Sequence, residues 1–80
     1  MDDAQIVKQI DELVDEEHRL ERDHVGSGLS AEQQDRLRLV EVQLDQGWDL
    51  LRRRRARRNA GLHPDGAAVE PAAVVEGYQQ

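Results

Sequence analysis

Two groupings of side chains in this chain have types and spacings that chemistry uses. The first is Glu21-Arg22-Asp23-His24. A glutamate and a histidine three residues apart share one face of a helix, the spacing used by carboxylate-bridged dimetal bundles. The second is an arginine run, Arg52, Arg53, Arg54 and Arg55 followed by Arg57 and Arg58. Guanidinium groups in that number can contact phosphates, with an affinity that falls steeply as salt rises. They can also pair with carboxylates on an acidic protein surface.

Each grouping has a plainer structural reading. A dimetal site needs further glutamates from other helices, and the expected register puts Glu17 near Leu39 and Val40. A polar pair that fixes register on a helix seam is the stronger expectation, so no metal site is assigned. The arginines are good helix formers, and cations belong near a helix C-terminus. No aromatic stacking set or helix-turn-helix spacing accompanies them, which places nucleic acid second to an acidic protein partner.

The other polar residues add no chemistry. His18 adjoins Glu17, but adjacent residues on a helix do not face each other. His63 falls in a turn. Gly26-Ser27-Gly28 is too short for a phosphate loop and lacks its lysine. Ser27 and Ser30 have no positioned base, and no nucleophile, base and orienting group assemble. The expectation is a protein that is not an enzyme and takes no cofactor.

Charge is divided sharply along the 80 residues. Residues 1–50 carry −9, residues 51–60 carry +6, and residues 61–80 carry −3, for a net −6. The chain has no Cys or Phe, one Trp and one Tyr, so its core must be aliphatic and unstapled by disulfides. Nothing approaches the roughly 20 apolar residues of a membrane span, and the first residues do not form a secretory signal. A cytoplasmic protein with no membrane partner is expected.

The elements that would position these groups follow from periodicity. Ile6, Ile10, Leu13 and Leu20 recur in steps that mark one helical seam, predicting a helix over about residues 3–25. Gly26-Ser27-Gly28-Leu29 breaks it. Ser30 and Gln33 then form a capping box that opens a second helix over about 31–58. Its seam is Leu37, Val40, Leu44, Gly47 or Trp48, and Leu51. Gly61 and Pro64 end it.

A short loop between long helices makes an antiparallel hairpin. The fold class is therefore all-α, a coiled-coil-like hairpin over residues 1–60 with a tail over 61–80 that is extended or a short helix. The matching seams put Ile6 and Ile10 beside Trp48 and Leu51, Leu13 beside Leu44, and Leu20 beside Leu37. The arginine run falls beside residues 1–4.

So small a hairpin has a thin core, and Leu39, Val42 and Leu50 form a second apolar strip. Burying that strip predicts a homodimer, a four-helix bundle. The candidate partner surface is the arginine run, Arg52 to Arg58, with Trp48, and with Val75 and Tyr78 of the tail.

Three stretches carry a resemblance. Asp11 to His18, the block Leu44-Asp45-Gln46-Gly47-Trp48-Asp49-Leu50-Leu51-Arg52, and the ending Val74-Val75-Glu76-Gly77-Tyr78 together resemble a family of short actinobacterial proteins known only as a domain of unknown function. The resemblance spans nearly the whole chain. It implies an intracellular bacterial helical protein and brings no catalytic or binding residues with it. The functional expectation is a small interaction or regulatory module without catalysis.

Overall fold

The hairpin begins with a cap that periodicity alone does not reveal. In a computed structural model, which describes residues 2–23 and 28–77, the Asp2 backbone N–H donates to Gln5 Oε1 at 2.8 Å. The Gln5 N–H donates back to Asp2 Oδ1 at 2.9 Å. This is a capping box with aspartate in the serine position. It starts helix α1, Asp3–Asp23. The expected end near residue 25 lies outside the described residues, as do His24, Gly26 and Ser27.

Helix α2 spans Ala31–Asn59 and opens on the expected Ser30–Gln33 capping box. Its end is set by Gly61, which adopts φ +77°, a left-handed conformation that costs glycine little. The Gly61 N–H reaches the Arg58 carbonyl at 3.0 Å, and the Leu62 N–H reaches the Arg57 carbonyl at 2.8 Å. That double bond pattern is a Schellman motif, and it reverses the chain. A 3₁₀ turn at Pro64–Gly66 and a short helix α3 at Ala72–Gly77 follow. Among the described residues there is no strand.

The two long helices are antiparallel. Arg36 pairs with Glu16 near the loop, and Arg54 pairs with Asp3 at the open end. Between these points Ile6 and Ile10 of α1 pack with Val40, Leu44, Leu50 and Leu51 of α2, with Leu13, Val14 and Leu20 against their edge.

Gly47, not Trp48, completes the seam. A Cβ at Gly47 would stand 2.9 Å from Ile10 Cγ1, so the close approach of the helices depends on its absence. The expected contact of Ile6 and Ile10 with Trp48 is therefore corrected. One residue along a helix is about 100° around it, and that turns Trp48 outward, where it is 48% exposed.

The tail forms a third strip. After the 3₁₀ turn the chain runs back along α2, with Ala67 packed on the core cluster and the Glu70 carbonyl accepting from Gln46 Nε2 at 3.3 Å. Helix α3 then packs on α2 and buries Val75 to 2% exposure.

This placement breaks the second apolar strip. Leu50, expected to face outward, belongs to the core at 6% exposure, because the tail covers its flank. Val42 is half-buried, and Leu39 alone remains open. The molecule measures 51 × 26 × 15 Å.

Candidate functional site

Six arginines in seven consecutive positions cannot share one direction, because a helix turns about 100° per residue. The fold sorts them by angle. Arg54 and Arg58, four residues apart, point toward the start of α1. Arg54 Nε donates to Asp3 Oδ1 at 2.6 Å, and its Nη1 donates to Asp65 Oδ1 at 2.8 Å. Arg58 Nη2 lies 2.6 Å from Asp3 Oδ2. Arg54 is 5% exposed, and it joins α1, α2 and the 3₁₀ turn at one point.

The electrostatics follow from these bonds. The Arg58 hydrogen bond first, and the Arg54 bond second, hold the Asp3 carboxyl down from the ordinary 3.8 to about 2. The Arg54 hydrogen bond likewise lowers Asp65. Both guanidinium groups are pushed further toward their charged form, chiefly by Asp3.

Arg53 and Arg57 face the tail. Arg53 Nε donates to Asp49 Oδ2 at 2.9 Å, one turn earlier on the same helix, an i,i+4 spacing legible in the sequence. Its other nitrogens reach the Ala68 carbonyl and, at 3.6 Å, Glu70. Asp49 is 4% exposed, so its charge is matched where water is scarce. Arg57 Nε donates to the His63 carbonyl at 2.6 Å. A Cβ at Gly66 would collide with the Arg57 guanidinium, so that glycine makes room for the contact.

Four of the six arginines are thus bound within the chain. Arg52 and Arg55 are exposed and make no ion pair among the described residues. With Trp48 they occupy positions i, i+4 and i+7, which share one flank of a helix. An exposed indole beside two guanidiniums has the composition of an interface anchor. It offers no nucleophile and no acid–base pair.

The remaining expected sites are dispersed. Val75 is buried against the chain itself, and Tyr78 lies outside the described residues. Glu21 is exposed, while His24 is outside them. Among the described residues no three His, Cys, Asp or Glu side chains approach closely enough to share a metal ion. A groove of about 460 Å³ opens between α1 and α2 on the flank that holds Leu50 and Val69. Its lining has two carboxylates, Glu12 and Glu16, with Arg36, and no histidine.

Asp65 and Glu70 are the acids that sequence reasoning missed. Asp3 was accessible through the register, which placed the arginines beside residues 1–4. Asp65 depends on how the tail folds back, and no local pattern records that.

Comparison with known proteins supplies kinship. A family model described as a protein of unknown function (DUF2630) matches residues 2–80. An uncharacterised protein of Mycobacterium bovis is 47% identical over 77 residues, covering 95% of this chain and 88% of the relative. Uncharacterised proteins of two Mycobacterium tuberculosis strains match to the same extent. No solved structure matches the chain.

Proposed function

Because the chain belongs to this family of proteins of unknown function, we propose a role from the surface it presents: a small, non-catalytic interaction module that binds a protein partner through the outer flank of α2. Trp48, Arg52 and Arg55 form the contact. The observation that carries this reading is the sorting of the arginine run. Arg53, Arg54, Arg57 and Arg58 are committed to acids and carbonyls of the same chain. Arg52 and Arg55 are left beside a half-exposed tryptophan.

Nucleic acid is the weaker alternative. Two arginines give few phosphate contacts, and Glu41 and Asp45 lie on the same flank, where they repel a polyanion. The expected partner surface carries acids for the two arginines and an apolar contact for the indole.

Affinity capture of the tagged chain from a native bacterial extract tests the reading. A discrete protein should be retained after nuclease treatment. It should be lost from the Trp48→Ala, Arg52→Gln, Arg55→Gln triple variant, which keeps its helicity. Retention that is indifferent to those three substitutions, or that vanishes with nuclease, overturns it.

A further inference from the structure

The outer flank of α2 has an internal symmetry that specifies its occupant. Glu41, Asp45, Trp48, Arg52 and Arg55 recur at steps of four, three, four and three. That is a 3.5-residue repeat, the spacing that keeps one stripe facing a partner helix. The stripe lies away from α1, whose side of α2 is filled by Val40, Leu44 and Leu51. It also lies away from the tail, which occupies the side of Gln46 and Arg53. All five residues are exposed except the half-buried Asp45. None of the four charged ones makes an ion pair among the described residues.

The charges divide at the tryptophan. Glu41 lies seven residues before Trp48 and Arg55 seven after, each about 10.5 Å away along the axis at ~1.5 Å per residue. Asp45 and Arg52 lie three before and four after. We infer that the partner of this surface is a second copy of the chain, its α2 laid antiparallel across the first with the two-fold axis at Trp48. This inference rests on the proposed contact surface and names its occupant.

The register is dictated by the charges. An antiparallel crossing at Trp48 sets each Glu41 level with the other copy's Arg55. It sets each Asp45 within about 1.5 Å of axial level with the other Arg52. A parallel crossing sets like charges opposite one another and is rejected. A two-fold contact uses the same patch twice, so one stripe with an acidic half and a basic half complements itself. The two indoles meet at the centre and supply the apolar anchor, while the charges around them set orientation more than affinity.

Charge reversal in purified full-length protein tests this. At tens of micromolar, light scattering should give wild type twice the 9.1 kDa chain mass. The variant Arg52→Glu with Arg55→Glu has an all-acidic stripe, and Glu41→Arg with Asp45→Arg has an all-basic one. Each should fall to the monomer mass with its helicity unchanged, and an equimolar mixture should return to the dimer mass. Trp48→Ala should weaken the wild-type dimer at least tenfold.

The chain has no cysteine, so orientation can be read by cross-linking. On mixing with oxidised glutathione as the electron acceptor, a Glu41→Cys chain should form a disulfide with an Arg55→Cys chain in preference to another copy of itself. A folded wild-type monomer, a charge-reversed variant that still dimerises alone, or preferential Glu41→Cys self-coupling overturns the inference. A monomeric wild type that still captures another protein through Trp48 overturns this inference alone and leaves the contact surface standing.

Discussion

Asp3 accepts from two arginines at once, and Arg54 donates to two aspartates at once. A residue in that position is a joint. Removing Arg54 leaves Asp3 to Arg58 alone, releases Asp65, and deletes the buried side chain that ties α1 and the 3₁₀ turn to α2. Arg54→Leu is therefore expected to lower the melting temperature by several degrees. Arg55→Gln, one residue away on the open flank, should stay within about 0.5 kcal/mol of wild type when both are compared as monomers at low concentration, as surface positions do. Thermal melts followed by circular dichroism compare the two directly. Equal effects would mean that the sorting of the arginines by angle has no energetic consequence.

At the scale of the element, α2 does three jobs on three flanks. One flank packs on α1, one holds the tail, and one is open with Trp48 at its centre. Gly47 controls the first. A glycine inside a helix costs about 1 kcal/mol relative to alanine, so its presence needs a reason, and the Ile10 side chain 2.9 Å from its would-be Cβ supplies one. Gly47→Leu should destabilise the hairpin by on the order of 1–3 kcal/mol through overpacking, despite leucine's better helix propensity. Urea denaturation measures this, and a stabilised variant would refute the close approach of the helices. The end of α2 depends on Gly61 in the same way, because the left-handed turn there starts the tail on its return path.

At the scale of the whole molecule, carboxylate–guanidinium pairs join segments that are distant in sequence. Arg36 ties α2 to Glu16, and Arg54 ties it to Asp3 and Asp65. The three acids all have lowered pKa values. Asp3 falls from 3.8 to about 2, Glu16 lies below 4.5 through its Arg36 hydrogen bond, and Asp65 lies below 3.8.

Near pH 3 the unfolded chain binds more protons than the folded one, so stability falls as pH falls. The contribution of Asp3 should be complete above its ordinary 3.8 and disappear as pH drops toward about 2. Melting temperature should be level from pH 7 to pH 5 and decline below pH 4. Asp3→Asn should lower the plateau and flatten the decline. An unchanged slope in that variant would show that Asp3 carries none of the acid sensitivity.

The sequence by itself determined the elements and their pairing. Ser30 with Gln33, Gly61 with Pro64, and the spacing of Ile6, Ile10, Leu44 and Leu51 are local signals, and local signals fix caps and periodicity. They also placed the arginine run beside residues 1–4, where Asp3 receives Arg54 and Arg58. Tertiary structure decided which flank each side chain occupies. The choice between Gly47 and Trp48 on the seam turned on a contact with Ile10 across the hairpin. The burial of Leu50 and Val75 turned on the path of the tail. Arg52 and Arg55 were separated from their four neighbours only when Asp3, Asp49, Asp65 and two carbonyls had taken the others. A 100° step between adjacent residues is invisible in a run of identical letters, and it becomes decisive once three different surfaces surround one helix.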